Sequence, residues 1–248
     1  MNCLITAGNT MTLIDKVRCI TNIFSGRTGT RVALAACARG HAVTLLTSHP
    51  EVVGELAGGS PPDHLTVRAY RTFAELRDAL ASHVTGGRFD AVIQCAAVSD
   101  YECAGVYAPA PGTRFDPATG RWQAADGPVL VSRDAGKVKS DEPEVWLRLV
   151  QTPKLIDMIR DPWGFRGVLV KFKLEVGVSG EQLRDIAERS RRRSDADLMV
   201  ANTLEGMDAW ALLGPLNGGY HHVPRADLSV RLIEEIERRR SANNAPVG

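Results

Sequence analysis

The chain has 248 residues, 44% of them apolar and 24% charged, with 30 Lys and Arg against 29 Asp and Glu. That length suits one large domain or two small ones with a substantial core, and the composition excludes a disordered, fibrous or collagen-like chain. A formal net charge of +1 gives no reason to expect nucleic acid or an anionic membrane as partner. No apolar run approaches the roughly 18–20 residues that cross a bilayer. Met1 to Gly8 lacks the basic stretch and long apolar core of a signal peptide. Five scattered cysteines (Cys3, Cys19, Cys37, Cys95, Cys103) show no CxxC spacing. They argue against a zinc ribbon, a redox pair or a disulfide framework, and for reduced thiols in a cytoplasmic protein.

Strand-like and helix-like segments alternate along the chain. Leu4 to Ala7 reads as a short apolar strand ending at Gly8, and residues 26–39 as a helix stopping at Gly40. Ala42 to Leu46 and Leu65 to Ala69 are further strands, followed by a helix at 72–84. Ala91 to Ala96 is an unbroken apolar run, the pattern of a parallel strand covered on both faces. A helix at 153–160, a strand from Gly167 to Phe172 and a helix at 180–193 follow. Asp197 to Ala201 is a last core strand and 225–239 a charged final helix. The alternation predicts an α/β fold: a doubly wound, mostly parallel Rossmann-like sheet with helices on both faces and ligands at the carboxyl ends of its strands.

Residues 102–144 break this pattern, being rich in Pro, Gly, Asp and Ala, with strand-like pieces at Arg121 to Gln123 and Val129 to Val131. They read as an insertion within a single domain, 1–248. So long an insertion without helices is a functional flap or an oligomer arm. Its hairpin-like halves suit pairing with the same element of a second subunit.

The first strand leads into Gly8-Asn9-Thr10, and Ser25-Gly26-Arg27-Thr28-Gly29 opens the next helix. This is not GxGxxG directly after a strand. Gly26 permits close backbone approach, Ser25 is suited to cap the helix, and the helix amino terminus offers free amides to a phosphate or carboxylate. By spacing alone, a plain cap-and-packing solution accounts for these residues equally well. Arg18 and Asn22 just upstream add a cation and a side-chain amide.

These residues carry a family resemblance. Val17-Arg18-Cys19-Ile20-Thr21-Asn22-Ile23-Phe24-Ser25-Gly26-Arg27-Thr28-Gly29, preceded by Ile5 to Thr10 and Ile14-Asp15-Lys16, resembles the amino-terminal signature of the phosphopantothenate–cysteine ligases. Ala96-Ala97-Val98-Ser99-Asp100-Tyr101, Gly136-Lys137-Val138-Lys139 and Thr152-Pro153-Lys154 resemble later elements of that family, as do Lys171 to Glu175, Ala201-Asn202-Thr203 and Val223-Pro224-Arg225. The likeness runs over nearly the whole chain in the family's order. Without a flavin-binding decarboxylase half ahead of it, the chain looks like the stand-alone bacterial type.

The resemblance implies a cytoplasmic homodimeric ligase of coenzyme A biosynthesis, joining 4′-phosphopantothenate to cysteine through an acyl-nucleotide. It implies Mg2+ and CTP, with ATP as the other candidate. Matching positions assign Arg18, Asn22, Ser25, Gly26, Gly29, Ala96, Ala97 and Asp100 to the substrate, with Arg18 reaching across a dimer interface. They assign Gly8, Cys95, Ala96, Asp100, Lys137, Pro153, Lys154, Leu155, Ile156, Phe172 and Asn202 to the nucleotide. Asn22 and Lys137 are the catalytic candidates, and the magnesium ligands stay unassigned.

Plainer readings stand beside these. Asn22 suits a turn, Asp100 a helix cap, and Asn202 a turn after its strand. Lys137 and Lys139 suit the solvated face of a strand, and Phe172 and Cys95 suit inert core. His221 and His222 adjoin Gly218-Gly219 in an expected hairpin and face opposite ways, against joint metal ligation. Arg189, Arg191, Arg192 and Arg193 suit a solvated helix end. Asn9 stands where the family has Gly or Pro, Lys171 where it has Gly, and Ser190 and Ser194 where it has lysines; the stretch around 109–128 is also unusual. Three other functions stay open: a nucleotide-dependent enzyme acting on another carboxylate, a non-catalytic binder, and an NAD(P)-dependent oxidoreductase. The last lacks both GxGxxG and a Tyr-x-x-x-Lys pair.

Overall fold

The computed structural model describes residues 1–243; residues 244–248 of the expected domain lie outside them. The elements in chain order are β1 (Asn2–Ala7), β2 (Met11–Leu13), β3 (Cys19–Thr21), α1 (Arg27–Ala38), β4 (Ala42–Thr47), α2 (Glu51–Ala57) and β5 (Leu65–Ala69). Next come α3 (Phe73–Gly86), β6 (Ala91–Gln94), β7 (Tyr101–Pro109), β8 (Arg114–Asp116), β9 (Arg121–Gln123), β10 (Leu130–Ser132) and β11 (Trp146–Gln151). The remainder is α4 (Leu155–Arg160), β12 (Val168–Glu175), α5 (Gly180–Arg193), β13 (Leu198–Thr203), β14 (Trp210–Leu216), β15 (Gly219–Pro224) and α6 (Leu228–Asn243). They group into two compact units: one of Met1–Thr10, Ile23–Ala97 and the chain from Lys154, the other of Met11–Asn22 and Val98–Pro153.

The first unit holds an eight-stranded sheet in the order β15-β14-β13-β12-β6-β1-β4-β5. Six strands run parallel, while β14 and β15 add an antiparallel edge. The chain winds outward from β1 through β4 and β5, returns to β6, and winds the other way through β12 and β13. The strand order therefore reverses between β1 and β6.

Consecutive residues Leu4 and Ile5, Val92 and Ile93, and Leu169 and Val170 are all fully buried. Both faces of the parallel strands are covered, which is why their sequences read as apolar runs rather than alternations. α1 and α6 close one face, packing Val32, Leu232 and Ile236 with Ile5, Ile93 and Val200. α5 closes the other with Leu183 and Ala187 against Met199 and Ala201. Capping boxes Thr72/Glu75 and Ser179/Gln182 start α3 and α5. This is the expected fold class.

In the first unit α2 and β14 were not legible beforehand, and in the second neither were β2, β3, β7, β8 and β11. α2 spans only seven residues and includes Gly54, a weak helix former. β14 contains Gly214-Pro215, which reads as a turn; the strand tolerates it because its register with β15 shifts between Leu213 and Leu216.

The second unit is all β. β7 pairs antiparallel with β10 on one side and β11 on the other, and β2 with β3 and β8 with β9 form two-stranded hairpins. Phe115, Trp122 and Trp146 stack together with ring centroids 4.8–5.2 Å apart, joining the β8–β9 hairpin to β11 by aromatic packing.

Candidate functional site

In the first unit, candidate residues gather where β1 and β6 end, at the reversal of strand order, the usual ligand position in such sheets. Backbone bonds stitch the two strand ends together: Ala97 N donates to Gly8 O at 2.8 Å and Thr10 N to Ala97 O at 3.3 Å. Thr6 Oγ1 accepts from the amides of Cys95 and Ala96 at 3.1 and 3.0 Å, and donates to Gln94 Oε1 at 3.1 Å. Asn9, buried, donates its amide to Ser48 Oγ at 2.9 Å and accepts the Ser48 hydroxyl proton at Oδ1, 3.0 Å away. The departure at position 9 is therefore part of the loop's framework.

Gly8 and Gly26 both have positive φ, and a Cβ on Gly26 would lie 2.4 Å from Gly8 N. A Cβ on Gly29 would lie 2.8 Å from Ala7 Cβ. Both glycines are therefore required for the helix start to lie on the end of β1. Gly26 is the N-cap of α1, left-handed and without a side-chain cap. This corrects the expectation that Ser25 caps the helix: α1 begins one residue later. The first turn has no side-chain cap, although its Gly29 amide is hydrogen-bonded to Cys95; the dipole end and the amides ahead of Gly29 are what an anion needs.

Arg225, which follows β15, donates through Nη2 to Thr28 Oγ1 in the first turn of α1. Burial lowers its pKa from the ordinary arginine value, the mark of a cation short of solvation. The sequence matched Val223-Pro224-Arg225 to the family without giving Arg225 a role. Cys95 lies beside this corner, and burial pushes its thiol up to about 12. It is no thiolate nucleophile at neutral pH.

Phe172 leaves β12 on the α1/α6 face, partly buried against that core. Its neighbours Lys171 and Lys173 leave on the α5 face. Asn202 pairs in register with Leu174, so it shares the face of Phe172. Leu155 and Ile156 are buried and spend their side chains on the core, while Lys154 is exposed. The departures at 171, 190 and 194 meet in space: Lys171 Nζ donates to Ser190 O at 3.0 Å and to Ser194 Oγ at 2.5 Å.

In the second unit, an open cleft of about 500 Å³ is lined by Val17, Arg18, Lys137, Val138, Lys139, Ser140 and Asp141. Asp15 organises it from beneath. Its side chain is fully buried and accepts from Arg18 Nη2 at 2.7 Å and Val138 N at 3.0 Å. Arg18, first among several hydrogen bonds, holds this carboxyl far below the usual carboxylate range. Arg18 Nη2 also donates to Val138 O at 2.7 Å, and Lys16 N to Gly136 O at 3.1 Å.

These bonds make 136–139 a loop and not the expected strand, because its backbone partners lie in the 15–18 turn rather than a ladder. Alternation survives all the same: Val138 is buried between exposed Lys137 and Lys139. Asn22 is exposed after β3, and Pro153 closes this unit. Asp100 starts no helix; it precedes β7, and its carbonyl accepts Thr152 N at 3.0 Å.

Among the described residues, no group of three His, Cys, Asp or Glu side chains could hold a metal. His222 stacks on Trp210 with centroids 4.9 Å apart, and His221 Nε2 lies 3.2 Å from Leu216 O. Arg191 and Arg192 pair with Glu188 at 2.8 and 2.7 Å. All five cysteines are free thiols, and no described helix is long and apolar enough to cross a membrane.

A mostly parallel sheet, wound both ways from the reversal between β1 and β6, defines a Rossmann-like α/β protein. Residues 1–109 match the model of the DNA/pantothenate metabolism flavoprotein C-terminal domain. The coenzyme A biosynthesis bifunctional protein CoaBC of Thermococcus kodakarensis is 31% identical over 95% of this chain and 50% of its own length. The CoaBC of Mycobacterium tuberculosis is 37% identical over 94% of this chain and 51% of its own length. The chain thus spans about half the length of the curated relatives it matches. The crystal structure of the DNA/pantothenate metabolism flavoprotein from Streptococcus pneumoniae superposes with a TM-score of 0.75 at 25% identity, covering 96% of this chain and 99% of that one.

Proposed function

We propose that the chain is a phosphopantothenate–cysteine ligase acting in coenzyme A synthesis. The observation that carries this is the Gly8–Gly26 contact, which presents the uncapped amides of α1 beside Arg225, a receptor for a phosphate-bearing substrate. Coverage of nearly the whole chain by CoaBC relatives supports the same reading.

In this scheme the phosphopantothenate carboxylate attacks the α-phosphorus of CTP, or of ATP, and the P–O bond to pyrophosphate breaks. The cysteine amine then attacks the acyl carbon, loses a proton and expels the nucleoside monophosphate. Neither step requires a protein nucleophile, so the chain's task is positioning and charge neutralisation. The Asn22 amide would hold the acyl intermediate, Lys137 would neutralise the phosphates, and Phe172 and Asn202 would border the nucleotide. No metal cage is present among the described residues. Magnesium would enter as the salt of the triphosphate, which asks for one or two carboxylates at most.

The second unit would be an insertion in one ligase domain, serving as flap and dimer arm, with Arg18 turned toward a neighbouring subunit's substrate in a cytoplasmic homodimer. The test is pyrophosphate release with 4′-phosphopantothenate and magnesium, CTP and ATP in parallel, with and without cysteine. Release with one nucleotide and a product of the mass of phosphopantothenoylcysteine is expected. Silence with both nucleotides from folded protein would overturn the reading.

A further inference from the structure

β1, β4 and β5 lie side by side, and their register aligns Ala7 with Thr47 and Thr47 with Ala69. The next residues, Gly8, Ser48 and Tyr70, therefore stand in one row at the carboxyl edge of the sheet. Tyr70 is 3% exposed, and its hydroxyl donates to Ala7 O at 2.7 Å. Burial raises the Tyr70 pKa, so the phenol keeps the proton it donates. Ser48 N donates to the same carbonyl at 3.4 Å. A trans peptide is planar, so two donors on the Ala7 oxygen also fix the direction of Gly8 N–H. α1 rests on that atom: a Cβ on Gly26 would lie 2.4 Å from Gly8 N and 3.1 Å from Ala7 C.

A second set of bonds holds Asn9 from both sides of β1. Gly8 O accepts Ala97 N and Thr10 N donates to Ala97 O, tying the backbone toward β6. The Asn9 side chain leans the other way, across the end of β4. Ser48 Oγ accepts Asn9 N at 2.9 Å and gives its own proton to Asn9 Oδ1 at 3.0 Å. A Cβ on Gly8 would lie 2.1 Å from Ser48 Oγ, so the serine fills the space that Gly8 leaves open. Ser48 and Tyr70 thus stand on the β4 and β5 side of β1, away from the crevice between β1 and β6, yet both fix the backbone that borders it.

We propose that Ser48 and Tyr70 are positioning residues for the phosphate-bearing substrate. Through Ala7 O and Asn9 they hold the Gly8 backbone at the angle that sets the first turn of α1 against the ligand. The identity of that ligand rests on the ligase reading above.

Inorganic phosphate is the first probe, by calorimetry on the full chain at low salt. The unsubstituted protein should bind it, Ser48→Ala should lose about fivefold in affinity and Tyr70→Phe about threefold, the effect of one neutral hydrogen bond each. Ser48→Thr, which keeps the hydroxyl, should restore most of the loss. Thermal melting of each variant separates lost binding from lost fold. In pyrophosphate-release assays, Ser48→Ala should raise the 4′-phosphopantothenate KM about fivefold with kcat within about twofold, because ground state and transition state lose the same hold. Asn9→Ala breaks the same pair, so Asn9→Ala with Ser48→Ala should lose no more than the larger single loss.

No phosphate binding by the unsubstituted protein, or equal binding by Ser48→Ala, overturns the proposal. Single losses that multiply in the double variant overturn it as well. Turnover with an unchanged 4′-phosphopantothenate KM in Ser48→Ala overturns it and leaves the ligase reading standing. Ser48-dependent phosphate binding by a protein that releases no pyrophosphate removes the ligase reading and leaves the positioning role.

Discussion

Arg18 grips Asp15 through two donors on one oxygen, Nε at 3.1 Å and Nη2 at 2.7 Å from Oδ2. Oδ1 is taken by the amides of Val17 and Arg18, each at 2.8 Å. With Val138 N also on Oδ2, this buried carboxylate binds the turn at 15–18 to the loop bearing Lys137 and Lys139. The position of both lysines in the cleft depends on it.

Asp15→Asn should therefore release the loop without unfolding the chain. An amide keeps one acceptor oxygen but loses the charge that strengthens these bonds. Hydrogen exchange in 136–139 should accelerate about tenfold, and the nucleotide KM should rise with it. Unchanged exchange in that segment would show that the loop is held by something else.

Gly26→Ala should be among the most damaging single substitutions. The residue sits at φ +79° with its missing Cβ 2.4 Å from Gly8 N, so it adds backbone strain to a steric clash. A loss of about 2 kcal/mol or more is expected in urea unfolding, together with weaker phosphate binding. Ser25→Ala should cost under about 0.5 kcal/mol, since Ser25 does not cap α1.

Asn22→Asp should abolish transfer to cysteine while the melting temperature stays unchanged, because Asn22 is exposed and a carboxylate would repel the phosphorylated substrate. Lys137→Gln should act on the nucleotide instead, raising its KM about tenfold, the order of one lost charge-assisted contact. Equal effects of both variants on both substrates would erase this division of roles.

Glu237 ties α6 to the end of α1, accepting from Arg39 Nη2 at 2.7 Å and lying 2.7 Å from His41 Nε2. Its hydrogen bond to Arg39 is the main cause of a pKa lowered from 4.5 to about 2. A depressed carboxylate stabilises fully above its unfolded pKa, and the benefit goes as pH falls through the folded value. Glu237→Gln should cost about 1 kcal/mol at pH 7 after allowance for partial exposure, with the gap closing between pH 4.5 and about 2. Denaturant melts across that range measure it, and a pH-independent gap would contradict the linkage.

The sequence by itself determined the sheet's alternation and the local punctuation around it. Apolar runs such as Ala91 to Ile93 admit few structures besides buried parallel strands, and Gly40 marks a helix end through its freedom at positive φ. The loop from Gly8 to Gly29 was legible for a similar reason, since only glycine suits positive φ and close approach. Contacts between distant segments were beyond it.

That Arg225 would meet Thr28 and Lys171 would meet Ser190 and Ser194 follows from strand order and register, and that Asp15 would meet Val138 follows from the 136–139 loop folding onto the 15–18 turn; no local pattern encodes either. The same holds for α1's start: Ser25 looked like a cap until packing of Gly26 against Gly8 moved the helix by a residue. Local propensity selects each element, but the side chains that share one ion or hydroxyl are brought together only when the sheet closes. The charge arrangement of both candidate sites was decided at that level.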